Sequence, residues 1–281
     1  MNKIVFFEVN EWEIAKLQET LKDVNVKFYT DRLDDKHIDA IKDIDILSVW
    51  IYSRVTRSII DKLPNLKLIV TRSTGMDHID VDYCYKKGIQ IANIPKYGIN
   101  TVAEHTFALI LNLIRKVHKT INRKDFSLSQ DILGFELKDK TIGVVGTGSI
   151  GRKVIHIAKA FDMHVLAYDI KKDEEFAREY NFKYVELDEL LMNSDIITLH
   201  VPLNKDTYHM INMNNIKKIK KGCYLINTAR GSVCDTTALL YGLEEGIFAG
   251  LALDVLEEEL LFKEDGLSIL YENTDKIKKK Y

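Results

Sequence analysis

The sequence predicts two doubly wound parallel α/β domains. Short runs rich in β-branched residues alternate with amphipathic stretches along the whole chain of 281 residues, which is the pattern of parallel strand–helix–strand units. A chain of this length can bury two separate cores. Hydrophobic residues make up 46% and charged residues 29% of the sequence, a balance typical of globular rather than disordered proteins.

The first third of the chain contains five strand candidates. These are Lys3–Val9, Val26–Tyr29, Ile46–Val49, Leu66–Thr71 and Ile89–Asn93. Two amphipathic stretches between them, Glu11–Lys22 and Thr56–Leu63, predict helices, and Pro64 ends the second because proline cannot continue a helix.

The longest helical pattern, from Thr101 to Lys119, follows this first unit. Its apolar residues fall on one broad face, formed by Ala103, Phe107, Ile110, Leu111, Ile114 and Val117. Such breadth predicts burial against another domain or subunit. The next segment, Phe126–Leu137, has no regular period and is expected to wrap irregularly over the surface.

A second α/β unit begins at Thr141, and the two domains are expected to meet near Ile99. Its strand candidates are Thr141–Val145, His164–Tyr168, Ile196–Val201, Tyr224–Asn227 and Ala249–Leu253. Its helix candidates are Gly151–Phe161, Leu187–Met192, Met213–Lys218 and Thr237–Glu244.

Charge and cysteine content narrow the class of function. Forty Lys and Arg residues nearly cancel 42 Asp and Glu residues, so the net charge of −2 offers no basic surplus for nucleic acid or membrane surfaces. No apolar run reaches the ~20 residues that span a bilayer. The cysteines Cys84, Cys223 and Cys234 lack metal-ligand spacing and suit a reducing compartment, so a cytoplasmic protein is expected.

The glycine-rich loop Gly146-Thr147-Gly148-Ser149-Ile150-Gly151 directly follows a predicted buried strand. Gly146 permits a tight turn, Gly148 lets the backbone approach a pyrophosphate, and Gly151 lets the next helix pack closely. The start of that helix directs free N–H groups and partial positive charge at the phosphates. The second unit is therefore predicted to be a Rossmann dinucleotide-binding domain, and the first a related flavodoxin-like domain.

Asp169 decides which dinucleotide is expected. It ends the next predicted strand, 169 − 151 = 18 residues after the last glycine, where an acid accepts hydrogen bonds from the adenosine ribose hydroxyls. A carboxylate there also repels a 2′-phosphate, so NAD is favoured over NADP, although Lys171 and Lys172 soften the repulsion. The alternative is that Asp169 only caps a helix.

Several motifs in order resemble one family. They are Arg72–Asp80 (RSTGMDHID), Val102–Thr106 (VAEHT), the glycine loop, His200–Leu203 (HVPL), Asn227–Gly231 (NTARG) and Leu253–Glu259 (LDVLEEE). Together these segments resemble the NAD-dependent D-2-hydroxyacid dehydrogenases, and their details are most similar to the D-lactate dehydrogenase branch. The resemblance extends from about Lys3 to about Leu270.

The resemblance implies a role for each matching residue. Backbone N–H groups of Thr74 and Gly75 would bind the substrate carboxylate, and Tyr97 would line the substrate pocket. The cofactor-binding positions would be Gly146, Gly148, Ser149, Ile150, Gly151, Asp169, Val201, Pro202, Thr207, Thr228, Ala229, Arg230 and Asp254. Arg230 would be the catalytic arginine and Glu259 the catalytic glutamate.

These residue types suit the reaction that the resemblance implies. A 2-keto acid carries a carboxylate and develops negative charge on its keto oxygen, and the planar donors of Arg230 can bind both groups. In the family a histidine supplies the proton, and Glu259 would orient that histidine and raise its pKa.

Simpler interpretations remain open for several of these positions. Glu259 belongs to the acidic run 257–259, which without the resemblance would be a solvated face, and Tyr97 could pack as an ordinary side chain. His78, His105 and His200 are interpreted as structural, and contact between them and a binding residue stays open.

The family's histidine belongs to a Thr-Pro-His segment after the glutamate, which this sequence lacks. Residues 260–281 contain neither histidine nor proline, and all eight histidines lie at or before His209. The final helix that returns to the first domain is also missing, so the chain is expected to be truncated. The predicted domains are a substrate domain (1–99), an NAD-binding domain (100–265) and a truncated tail (266–281), whose Lys276 and Lys278–Lys280 form a solvated basic end.

The leading hypothesis is an NADH-dependent reductase of a small 2-keto acid, pyruvate to D-lactate. Loss of the acid/base group is expected to lower its rate by about 10²- to 10⁴-fold. Two alternatives stay open: a non-catalytic NAD(H)-binding module, and a phosphoglycerate or glyoxylate/hydroxypyruvate reductase. A homodimer through helix 101–119 is expected, because relatives use that helix for their dimer contact.

Overall fold

The computed structural model of the protein describes residues 2–121 and 132–257. The chain divides into two compact units, Met1–Tyr97 and Gly98–Tyr281. Each unit is described by itself below.

The first unit contains a five-stranded parallel sheet in the order β2-β1-β3-β4-β5. Its strands are β1 (Lys3–Phe6), β2 (Asn25–Phe28), β3 (Ile46–Val49), β4 (Leu68–Thr71) and β5 (Gln90–Ala92). Its helices are α1 (Glu11–Thr20), α2 (Ile38–Ile41), α3 (Arg57–Asp61) and α4 (Val81–Lys86). This is the flavodoxin-like order: β2 is added on one side of β1, and β3 to β5 are added on the other side.

All five strands predicted in this unit are present: β3 has the predicted bounds, β2 is shifted by one residue, and β1, β4 and β5 are shorter. The predicted first strand ends early because Glu8 takes a left-handed backbone conformation (φ 57°), which a strand cannot contain. The short helices α2 and α4 were not predicted from the sequence. Each gives too few turns to show a period, although both bury apolar residues such as Ile41 and Cys84 in the core of this unit.

The second unit contains a six-stranded parallel sheet in the order β11-β10-β9-β6-β7-β8. Its strands are β6 (Thr141–Val145), β7 (His164–Tyr168), β8 (Lys183–Tyr184), β9 (Ile196–Leu199), β10 (Cys223–Asn227) and β11 (Phe248–Leu253). Its helices are α5 (Ile99–Ile114), α6 (Val117–Ile121), α7 (Ser149–Ala160), α8 (Glu174–Glu179), α9 (Leu187–Asn193) and α10 (Thr236–Glu244). This is the Rossmann order: β7 and β8 are added on one side of β6, and β9 to β11 are added on the other side.

Both faces of this sheet are covered, which explains its nearly continuous apolar strands. Ile142 and Val144 of β6 pack in a cluster that includes residues of α5 and α7. Val145 of the same strand packs in a second cluster with residues of α9 and α10. The expectation of two doubly wound parallel sheets is confirmed.

The predicted helix from Thr101 to Lys119 is wrong in its length. The structure shows two helices, because Lys116 takes a left-handed conformation (φ 55°) that ends the first one. After the break Val117 faces solvent, and 41% of its surface is exposed. Ala103, Phe107 and Ile110 are buried in the core of the second unit itself.

Two further predictions differ from the structure. Met213–Lys218 forms only a 3-10 turn, at Ile216–Lys218, and α8 and β8 were missed because six and two residues are too short for a recognisable period. The segment predicted to be irregular, Phe126–Leu137, lies partly outside the described residues. The basic tail and Glu259 lie wholly outside them.

The described residues include no helix that is both long and apolar enough to cross a membrane. The three cysteines are free and buried, as expected. Burial raises the pKa of Cys84 to about 11 and of Cys223 and Cys234 to about 12, so these thiols stay protonated and inert.

Candidate active site

The carboxyl ends of four strands in the second unit are level with one another. Val145 of β6 pairs with Leu199 of β9, which pairs with Asn227 of β10, which in turn pairs with Leu253 of β11. The residues that follow these strands therefore lie along one edge of the sheet: Gly146, His200, Thr228 and Asp254. Parallel sheets bind ligands at this edge, beside the point where the chain reverses direction.

The three glycines of the loop differ in what a Cβ at each position would meet. Gly146 has φ +93°, and a Cβ there would lie 2.8 Å from the carbonyl oxygen of His200. A Cβ on Gly151 would lie 1.9 Å from the carbonyl oxygen of Gly146. A Cβ on Gly148 would meet nothing within 4 Å, so this glycine faces open space that a ligand can fill.

Helix α7 begins directly in this open space. Gly148 is its N-cap, and Ser149 and Ile150 form its first turn, with Ser149 exposed and Ile150 half-buried. The N–H groups of a first helical turn have no partner within their helix. Ser149 and Ile150 thus present donors and the positive end of the helix dipole to an anion at Gly148.

Asp169 is fixed by hydrogen bonds from both of its neighbouring loops. Its Oδ2 accepts from the backbone N–H and the hydroxyl of Thr147, at 2.6 and 3.1 Å, and its Oδ1 accepts from the N–H of Lys171 at 2.8 Å. A carboxylate has about four acceptor positions, so one remains for a ribose hydroxyl. Asp169 stands at the start of a turn and not at the N-cap of α8, which is Asp173, so the helix-cap alternative is wrong.

The loop after β9 is held by Thr207, which is buried. Its hydroxyl donates to the carbonyl oxygen of Pro202 at 2.6 Å and accepts from the N–H of Asn204 at 2.8 Å. Val201 is half-buried and Pro202 is exposed. Thr207 therefore shapes this loop from inside, while Pro202 and Val201 form its surface.

His200 is neutral and confined beside the glycine loop. Its Nε2 hydrogen-bonds the hydroxyl of Thr198 at 2.9 Å, and its buried Nδ1 meets no partner among the described residues. Burial lowers the pKa of His200 to about 3.

Arg230 lies in a turn that Asn227 holds at both ends. The Oδ1 of Asn227 accepts from the N–H of Ala229 at 3.0 Å, and its Nδ2 donates to the carbonyl oxygen of Arg230 at 2.9 Å. The hydroxyl of Thr228 lies 3.1 Å from that of Thr106 on α5. The Arg230 guanidinium is half-buried and donates to the carbonyl oxygen of Ala229 at 2.7 Å.

Asp254 follows β11 and is paired with a histidine. Its N–H donates to the carbonyl oxygen of Asn227, and its Oδ1 lies 3.2 Å from Nε2 of His105 on α5. His105 was interpreted from the sequence as structural. It contacts the side chain of a predicted cofactor-binding residue, a possibility that this interpretation left open.

Without the resemblance the acidic run 257–259 would be a solvated face, and Glu257 does not fit that interpretation. Its carboxylate is half-buried and accepts hydrogen bonds from His209 and Thr236. The two partners lie 48 and 21 positions away in sequence, so no local pattern could have revealed the cluster. Glu259 lies outside the described residues.

In the first unit, Thr74 and Gly75 follow the carboxyl end of β4. Their loop is held by Thr74, whose hydroxyl donates to the carbonyl oxygen of Ile94 and whose carbonyl accepts from Asn93, both at 2.8 Å. Among the described residues, neither the N–H of Thr74 nor that of Gly75 donates a hydrogen bond. Both donors therefore remain for an anion. Tyr97 is 64% exposed, so the packing alternative is wrong within this unit.

Glu8 is a residue at this edge that the sequence did not single out. Its carboxylate accepts from the backbone N–H groups of Trp50, Tyr52 and Ser53, at 2.8 to 3.2 Å. It thereby joins the ends of β1 and β3, where the chain reverses direction across the first sheet.

Comparison with known proteins agrees with this arrangement. Residues 107–274 match the family described as D-isomer specific 2-hydroxyacid dehydrogenase, NAD binding domain. The D-lactate dehydrogenase of Lactiplantibacillus plantarum is 36% identical over 273 residues, which cover 94% of this chain and 81% of that protein. The chain belongs to the D-isomer-specific 2-hydroxyacid dehydrogenase family.

Other members of the family carry different names. The glyoxylate reductase of Thermofilum pendens is 42% identical over 228 residues, which cover 79% of this chain and 67% of that protein. The crystal structure of D-lactate dehydrogenase from Aquifex aeolicus, complexed with NAD and lactic acid, has a TM-score of 0.88 and 44% identity, and the match covers 97% of this chain and 81% of that one. This dehydrogenase is thus an NAD-dependent enzyme by family.

The residues present fit NAD. The open space at Gly148 and the first turn of α7 suit a pyrophosphate, and the remaining acceptor position of Asp169 suits a ribose hydroxyl. The edge formed by Thr228, Ala229 and Asp254 suits a nicotinamide amide, because Asp254 offers an acceptor.

Proposed function

We propose that this dehydrogenase transfers a hydride between NADH and the carbonyl carbon of a small 2-keto acid, and that pyruvate and D-lactate are its substrate pair. The observation that carries the proposal is the turn at Asn227–Arg230, which fixes an arginine at the carboxyl edge of a nucleotide-binding sheet. The D-lactate dehydrogenases among its relatives support the choice of substrate.

The residues divide the work of binding and charge stabilisation. The bound cofactor supplies the hydride. The guanidinium of Arg230 pairs with the substrate carboxylate and stabilises the negative charge that develops on the keto oxygen. The backbone N–H groups of Thr74 and Gly75 bind the carboxylate, and Tyr97 contacts the substrate side chain. Asp254 accepts from the nicotinamide amide.

Proton transfer is the step for which these 281 residues provide least. By resemblance Glu259 would orient a histidine that follows it, and no histidine lies beyond His209 in this sequence. A positioned acid/base group contributes about 10²- to 10⁴-fold to the rate, so turnover has to be measured separately from NADH binding.

The test combines binding with turnover. NADH is titrated by its fluorescence, and then pyruvate, glyoxylate or hydroxypyruvate is added while NADH oxidation and the chirality of the product are followed. We expect saturable NADH binding and NADH oxidation with pyruvate, giving D-lactate. Arg230→Lys should abolish the oxidation because lysine lacks the planar fork, whereas Arg178→Lys at an exposed position of α8 is the matched control.

Other results would assign the alternatives. Preference for glyoxylate or hydroxypyruvate would make the chain a reductase of the kind found among its relatives. Binding of NADH with no oxidation of any of these acids would favour a non-catalytic NAD(H)-binding module. A folded chain with no affinity for NAD⁺ or NADH would refute the proposal.

We further propose a homodimer through α5. The buried residues of α5 serve the core of the second unit. Leu109 and Leu113 pack partly against that core and keep some exposed surface, which a partner would cover. Light scattering after gel filtration tests this, and a monomer at micromolar concentration would contradict it. We place the protein in the cytoplasm, in keeping with three free cysteines.

For the domain limits we propose residues 1–99 for the substrate domain and 100–265 for the NAD-binding domain. The proposal rests on the two parallel sheets, each complete within one of these ranges. Limited proteolysis followed by mass spectrometry tests it, since cleavage near Ile99 should release two protected fragments.

A further inference from the structure

A half-buried cluster of polar groups lies beside the turn that carries Arg230. Glu257 accepts from Nε2 of His209 at 2.5 Å, from the hydroxyl of Thr236 at 2.8 Å and from the N–H of Thr236 at 3.1 Å. The side chains of Glu257 and His209 are only 19% and 28% exposed. An acid and a base that are both mostly removed from water normally persist only when paired.

The charge of Glu257 determines how the pair is bonded. Burial by itself would raise the pKa of Glu257, but hydrogen bonds from His209 and Thr236 outweigh it and hold that pKa below its ordinary value. Glu257 is therefore a carboxylate near neutral pH and accepts only. Nε2 of His209 must carry the hydrogen that joins them. Thr236 begins α10, so the positive end of this helix adds to the stabilisation of the carboxylate.

His209 is held in place at a conformational cost. Its backbone is left-handed (φ 49°), which is uncommon for residues other than glycine. Its N–H donates to the carbonyl oxygen of Ser232 at 2.9 Å, and its carbonyl accepts from Asn212 at 2.6 Å. Because Ser232 lies two residues after Arg230, the backbone of His209 is attached to the catalytic turn.

The segment before Glu257 contacts the same turn. A Cβ added to Gly231 would lie 2.0 Å from the carbonyl carbon of Leu256 and 2.3 Å from the backbone nitrogen of Glu257. The residue after Arg230 must therefore be glycine, since the chain at Leu256–Glu257 lies directly against it. The pair joins the two segments that enclose this turn, one at His209 and one at Glu257.

We propose that His209 and Glu257 are positioning residues for Arg230. Their bond clamps the turn at Arg230–Ser232 between the loop after β9 and the segment that leads from β11 toward Glu259, and so fixes where the guanidinium meets the substrate carboxylate. This inference rests on the proposed function, because it assigns the pair to a reaction at Arg230.

The test measures substrate capture separately from cofactor binding. Glu257→Gln keeps the size of the side chain and an acceptor for Thr236 but removes the charge that His209 meets. His209→Asn tolerates the left-handed backbone but is too short to reach Glu257. Asp188→Asn, in an exposed ion pair with Lys218, is the matched control.

Each variant is titrated with NADH, and the NADH complex is then titrated with oxamate, an unreactive analogue of pyruvate. NADH oxidation by pyruvate is followed with enzyme in excess. We expect Glu257→Gln and His209→Asn to weaken oxamate binding and slow oxidation about tenfold, the effect of losing about 1.4 kcal/mol, with NADH affinity and the thermal midpoint nearly unchanged. The double variant should be no worse than either single variant, since both remove one interaction.

Three results would count against these assignments in different ways. Unchanged oxamate binding and oxidation in both variants would overturn the positioning role. Loss of NADH affinity and of thermal stability in proportion to the rate would show a merely structural pair and overturn it too. A wild-type chain that fails to bind NADH at all would refute the proposed function instead.

Discussion

The side-chain amide of Asn227 bonds the backbone of Arg230 directly, with Nδ2 donating to the Arg230 carbonyl oxygen at 2.9 Å. The Oδ1 of the same amide accepts from the N–H of Ala229 at 3.0 Å. One side chain, fully buried at the end of β10, thus satisfies the donor and the acceptor of the turn. An amide is required here because it offers both functions at once.

Asn227→Asp should disturb this turn with almost no change in size. The carboxylate can still accept from Ala229, but its second oxygen faces the carbonyl oxygen of Arg230, where two acceptors repel. We expect the rate of NADH oxidation by pyruvate to fall at least about tenfold, since a buried unpaired group costs about 1–3 kcal/mol. Asn193→Asp, at the exposed end of α9 where Nδ2 bonds the Glu189 carbonyl, should match wild type. Equal rates in all three proteins would disprove the role of Asn227 in holding this turn.

Gly148→Ala should lose NADH affinity, whereas Gly151→Ala should lose thermal stability. The new methyl group at Gly148 enters open space, so the protein should fold normally and lose NADH affinity about tenfold or more, because the methyl group occupies the place of the pyrophosphate. At Gly151 the methyl group would overlap the Gly146 carbonyl oxygen at 1.9 Å, so the thermal midpoint itself should fall. Thermal melts and fluorescence titrations separate the two effects. Wild-type NADH affinity in Gly148→Ala would contradict the assigned cofactor position.

Asp169→Asn should change the choice between NADH and NADPH. Removing the negative charge weakens the bond to a ribose hydroxyl and also removes the repulsion of a 2′-phosphate. We expect NADH affinity to fall about tenfold and NADPH affinity to stay level or to rise, as measured by fluorescence titration of both cofactors. Asp188→Asn, which alters only an exposed ion pair with Lys218, is the control. A parallel loss of both affinities would instead indicate that Asp169 acts only by holding Thr147.

His200 should make the stability of the fold depend on pH. Its pKa is lowered by burial to about 3, whereas an unfolded histidine titrates near about 6.5. Between these values the unfolded chain binds the extra proton, so the free energy of unfolding is greatest above about pH 6.5 and falls as the pH drops, by at most about 1.4 kcal/mol per pH unit.

Urea unfolding at several pH values measures this effect. His200→Gln should flatten the loss of stability between about pH 6.5 and pH 3 relative to wild type. His164→Gln, at an exposed position at the start of β7, should follow the wild-type profile. The same pH dependence in His200→Gln and wild type would refute the assignment of this effect to His200.

Local sequence patterns predicted the parts of this protein that depend on near neighbours. The strands Ile46–Val49, Thr141–Val145 and His164–Tyr168 have the predicted bounds, because buried parallel strands are short continuous runs of β-branched and apolar residues. The patterns failed where one residue changes the backbone. Lys116 ends α5 by a left-handed conformation that neither its charge nor its neighbours reveal.

The sequence by itself determined the fold class, the glycine loop with its acid, and the family, because each is written in contiguous residues or in fixed short spacings. Only the tertiary structure showed that Glu257 is no solvated acid but the partner of His209, that His105 contacts Asp254, and that Glu8 joins two strand ends. These contacts join residues 42 to 149 positions apart. Such pairs meet only after parallel strands have aligned their ends at one edge, so the physical cause lies in the assembled sheet and not in any local pattern.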